Sequence, residues 1–63
     1  MAKCHAEIYT KDGRVEKCAY WNGSLETIKS QCMRQAQMQF DQEMRMSLDF
    51  AKPTHIQIVV DEY

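Results

Sequence analysis

The sequence predicts an α+β fold of order β–β–α–β: a small three-stranded antiparallel sheet with one long helix packed on one face. Three observations predict it. Residues 3–10 and 54–63 alternate apolar and polar side chains, the period of a half-buried strand. Asp12-Gly13 stands between the first alternating stretch and a second, Val15 to Trp21, and is a strong hairpin signal. Neither glycine nor proline occurs between Ser24 and Lys52, a stretch that predicts one helix of up to about 27 residues, roughly 40 Å at ~1.5 Å per residue.

In the first strand Cys4, Ala6 and Ile8 share one face and His5, Glu7 and Tyr9 the other. A two-residue type I′ turn at Asp12-Gly13 would pair Thr10 with Val15, Ile8 with Lys17, Ala6 with Ala19 and Cys4 with Trp21. Paired residues share a face. The expected inner face is therefore Cys4, Ala6, Ile8, Val15, Ala19 and Trp21, with Lys17 as a misfit that snorkels at the sheet edge. The expected outer face adds Glu16, Cys18 and Tyr20 to His5, Glu7 and Tyr9.

Asn22-Gly23-Ser24 ends the hairpin, with Ser24 as N-cap and Glu26 adding a favourable charge in the first helical turn. Leu25, Ile28, Cys32, Ala36 and Phe40 form an apolar stripe at three- to four-residue spacing. Beyond it Met44, Met46, Leu48, Phe50 and Ala51 spread over a wider arc, and a break near Asp41-Gln42 is an option. Lys52-Pro53 stops the helix. In the last strand Ile56, Ile58 and Val60 alternate with His55, Gln57, Val59, Asp61 and Tyr63. Strand order 2-1-3, with a right-handed crossover, makes every neighbouring pair antiparallel and leaves two open edges.

Sixty-three residues allow one domain with a thin stability margin. A compact chain of this length is only about 28 Å across, so the helix is expected to bend, split or protrude. Three cysteines without a CxxC pair, no apolar h-region after Met1 and no apolar run near ~20 residues point to a reduced, cytoplasmic protein with free thiols. Self-association is then the expected supplement to stability, and the long helix and open edges point to a homodimer.

A net charge of −1 argues against a dedicated nucleic-acid binder. No P-loop, GxGxxG or GxSxG is present, and a chain this small does not easily enclose a substrate cleft, so no enzyme, catalytic residue or cofactor is expected. A zinc site drawn from His5, Cys18 and His55 lacks ligand spacing and a fourth ligand, and no metal is expected.

What remains is surface. Tyr9, Tyr20, Tyr63 and Val59 fall on the sheet face that the helix leaves open, and tyrosine is enriched at interface hot spots. Met38 and Met46 give the helix an adaptable surface. The expected function is a small intracellular interaction module, of the kind common in bacteria and phages, that regulates, links or inhibits a larger protein. The alternative is a nucleic-acid-binding regulator using Lys11, Arg14 and Lys17 of the hairpin with Lys29 and Arg34 of the helix. Residues 1–34 hold six Lys/Arg against four Asp/Glu, but Glu7, Glu16 and Asp61 on the sheet face would repel phosphates.

Overall fold

The computed structural model describes residues 1–63. Strands β1 (Ala2–Thr10), β2 (Val15–Gly23) and β3 (Pro53–Glu62) form one antiparallel sheet in the order β2-β1-β3. Helix α1 (Leu25–Met46) crosses one face, and a 3₁₀ turn at Asp49–Ala51 leads into β3. Fold class, element order and strand order are those the sequence predicts.

The conflict between helix length and domain size is resolved by an early stop and an elongated shape. At 22 residues, α1 is about 33 Å long. The molecule measures 38 × 18 × 12 Å, so the helix can only lie along its long axis. It does not break at Asp41-Gln42. It ends at Ser47, whose backbone N–H donates to the Glu43 carbonyl, with neither glycine nor proline at the stop. At the other end Ser24 takes the N-cap position, but its carbonyl and not its side chain serves the helix, accepting from the Ile28 N–H at 2.9 Å.

The hairpin differs from the expected one. The type I′ turn needs positive φ at both central residues, and only Gly13 has it, at +88°. Gly13 N–H donates to the Thr10 carbonyl and Thr10 N–H to the Arg14 carbonyl, a three-residue loop with its left-handed residue at glycine. The Thr10 hydroxyl and the Asp12 carboxylate bond to each other, and Asp12 also holds the Arg14 side chain at 3.0 Å.

The extra loop residue shifts the register by one, so Tyr9 pairs with Val15, Ile8 with Glu16, Glu7 with Lys17 and Ala6 with Cys18. A bulge at Ala19, the one non-glycine residue with positive φ (56°), restores the expected pairing of Cys4 with Trp21. Four face assignments therefore change. Lys17 is no misfit, since it lies opposite Glu7 on the outer face. Val15 moves to the outer face, and Glu16 and Cys18 move under the helix.

The core is thin. Eleven of the 63 residues are buried, and most of the apolar ones are small: Ala2, Cys4, Ala6, Ala19, Cys32 and Ala36 beside Ile8 and Ile28. Small side chains let α1 approach the sheet closely but bury little area per residue. Trp21 closes one flank, donating from Nε1 to Gln35 Oε1 at 2.8 Å. On the other flank Ile56, Ile58 and Val60 of β3 pack on the core yet stay half-exposed.

Candidate functional site

The open face of the sheet is a connected polar cluster around His5. Although no helix covers this face, His5 is only 5% exposed. The Tyr20 ring stacks on its imidazole with centroids 5.0 Å apart, and Val59 is its cross-strand neighbour. His5 Nδ1 lies 2.7 Å from Asp61 Oδ2 and His5 Nε2 lies 3.3 Å from Glu7 Oε2. Tyr9 donates its hydroxyl to Glu7 Oε1 at 3.0 Å, and its ring stacks on His55 at 4.5 Å.

The electrostatics follow from these bonds. The hydrogen bond to Asp61 is the largest influence on His5 and raises its pKa, outweighing desolvation, which opposes the charged form. Glu7 is lowered by the His5 bond and then by the Tyr9 hydroxyl. Tyr9 is raised, chiefly by donating to Glu7. The cluster is an imidazole clamped between two carboxylates. Both ring nitrogens are taken, so neither is free to accept a proton from a substrate. The arrangement ties β1 to the end of β3.

The thiols are placed for packing. Cys4 and Cys32 are buried, and the Cys32 thiol, which lies 3.1 Å from the Ala19 carbonyl, is pushed up to about 12 by burial and by the neighbouring Cys4. Burial also raises Cys18, as do Glu43 and Glu16 beside it. Reactive cysteines need the opposite environment, one that favours thiolate. Cys18 lies under the helix and His5 on the outer face, so these two do not meet as joint metal ligands. Glu16 is raised mainly by its side-chain hydrogen bond with Glu43, and then by burial.

The expected partner-binding residues divide into unlike groups. Tyr20 is 66% exposed and caps His5. Tyr9 and Val59 are half-buried in the polar cluster, while Tyr63 lies beyond the end of β3 and is fully open to solvent. The tyrosines thus do not form one continuous patch. Met38 stands exposed on α1 and Met46 at its end.

The helix expected from the sequence includes Leu48 and Phe50. The structure puts them on the connection to β3, where they are 69% and 63% exposed. With Met44 and Met46 they make the end of α1 the most apolar exposed stretch of the molecule. The lack of a stop signal in the sequence hid it, because an uninterrupted helix would have turned these side chains to several faces.

The basic residues do not converge. Lys11 lies 3.8 Å from Asp49, and Arg14 is bound to Asp12. Lys17 is on the outer face of the sheet, whereas Lys29 and Arg34 line a groove beside α1 on the opposite side. No helix is long and apolar enough to cross a membrane.

No protein-family model, curated protein or solved structure matches this chain. The functional reading therefore rests on its own surfaces.

Proposed function

We propose that this chain is a small non-enzymatic interaction module that regulates, links or inhibits a larger protein by docking on it with the end of α1 and the turn that follows. One observation carries the reading: Met46, Leu48 and Phe50, within five consecutive residues, are 75%, 69% and 63% exposed. A thin core gains about 1.5–3 kcal/mol for each large apolar side chain it buries. Three such side chains left outside, close together, make a contact surface of the adaptable kind that methionine-rich partners use. The turn is held in place rather than loose, since Lys11 N–H donates to the Lys52 carbonyl at 2.9 Å and Lys11 Nζ approaches Asp49.

The nucleic-acid reading has weaker support, because its five basic residues are spread over two faces and two of them are paired with aspartates. The test is affinity capture from a lysate of the source organism, with nuclease, using the wild-type chain and a Leu48→Ser/Phe50→Ser variant. Exposed positions shift stability by only about 0.5 kcal/mol each, so the variant remains folded. A stoichiometric protein captured by the wild type and lost with the variant is the expected result. A partner retained equally by both, or one lost on nuclease treatment, would count against the reading.

A further inference from the structure

The two edges of the sheet are not alike. Edge strand β2 carries a bulge at Ala19 and Lys17 near its middle, both of which discourage another strand from pairing. Edge strand β3 has its irregularities only at its ends, where Thr54 and Asp61 are extra residues against β1. From His55 to Val60 it pairs with β1 without a register shift, it contains no Lys or Arg, and its proline is the first residue. Its inner-face residues Ile56, Ile58 and Val60 remain half-exposed. Beside them runs an open groove of about 740 Å³, with Ile58 and Met33 in its lining. Between those ends β3 is regular and apolar and carries no cation, an edge open to pairing over six residues.

We propose that β3 pairs with β3 of a second copy of this chain, antiparallel, about a two-fold axis at Ile58. Symmetry and side-chain parity select this register. A two-fold axis between residues would set inner-face positions of one copy opposite outer-face positions of the other, so the axis must fall on a residue. Centring on Ile58 uses the regularly paired stretch of each strand, His55–Val60, and keeps the aliphatic side chains together: Ile58 meets itself, and Ile56 meets the second copy's Val60. It also sets His55 opposite the second copy's Asp61, a ring donor against a carboxylate whose side chain is 43% exposed. Centring on Gln57 would set His55 against Val59 and Asp61 against Pro53 instead. The result is one continuous sheet with three strands from each copy and both helices on the same face. The two grooves then join into one, with a Met33 on each wall.

The unmodified chain suffices for the test. Sedimentation equilibrium at high micromolar concentration is expected to give twice the 7.4 kDa chain mass. An isotope-filtered NOE experiment on an equal mixture of ¹³C,¹⁵N-labelled and unlabelled chains is expected to show intermolecular contacts between residues 54 and 62, with Ile58 contacting Ile58 of the other copy. A monomer at millimolar concentration overturns the proposal, and so does a dimer whose intermolecular contacts come from β2 or from the end of α1. A monomer or a dimer through β2 leaves docking of a larger protein through Leu48 and Phe50 to the capture experiment, whereas a dimer through the end of α1 would count against both proposals.

Discussion

His5 shows how much one side chain can do on an otherwise open sheet face. Its two nitrogens bind carboxylates from its own strand and from β3, 56 residues away in sequence, and Tyr20 closes over the ring. Because the folded pKa of His5 is raised above 6.5, its contribution is complete below pH 6.5 and is lost as pH rises through the folded value. Glu7 has the opposite sign. Its lowered pKa gives stability that is present above pH 4.5 and lost as pH falls through its folded value. Glu16, raised by Glu43, contributes below pH 4.5 and loses that contribution as pH rises through its own folded value. Thermal midpoints measured against pH are therefore expected to fall on the alkaline side of 6.5. His5→Gln should flatten that limb while Glu16→Gln leaves it in place. An alkaline limb unchanged in His5→Gln would mean that another group titrates there. His5, Glu7 and Tyr9 were legible as one face of an alternating strand. The bond to Asp61 was not, because alternation says nothing about how the far end of β3 meets β1.

At the scale of elements, one hairpin explains most differences between the sequence reading and the structure. Asp-Gly announces a turn correctly but does not fix its length, and a three-residue loop moves every β2 side chain from Val15 to Cys18 to the other face. Ala19 then undoes the shift with a left-handed backbone, which costs about 1–2 kcal/mol for a residue with a Cβ. Alanine carries no signal for such a conformation, so the bulge was invisible in the sequence. The buried Ala19 methyl and the contact of its carbonyl with the Cys32 thiol help to hold it. Urea unfolding is expected to place Ala19→Gly within about 1 kcal/mol of wild type, since the relief of strain is offset by the lost methyl and by a freer unfolded chain. Ala19→Val should cost more than about 2 kcal/mol, because a β-branched residue tolerates this backbone poorly. Equal stability of the two variants would contradict a strained bulge. The helix was legible in type and start, from Leu25 through the Ile28, Cys32 and Ala36 stripe. Its end at Ser47 was not, because the stop comes from the return of the chain to β3 and not from a breaker residue.

On the scale of the whole molecule, the order β2-β1-β3 follows from short connections and antiparallel pairing, and the sequence was enough to reach it. It leaves a slab 12 Å thin with a core of small residues, and apolar side chains collect where that slab ends. Buried residues on α1 stop at Ala36, and the last turns carry exposed Met44 and Met46 into the Leu48–Phe50 turn. This end is the proposed docking surface. Hydrogen exchange of the chain, free and bound to its captured partner, tests it most directly. The expected result is slower exchange at residues 44–51 in the complex than in the free chain, with little change at Lys11–Arg14. Protection gained only at the hairpin turn and around Lys29 and Arg34, with residues 44–51 unchanged, would contradict it.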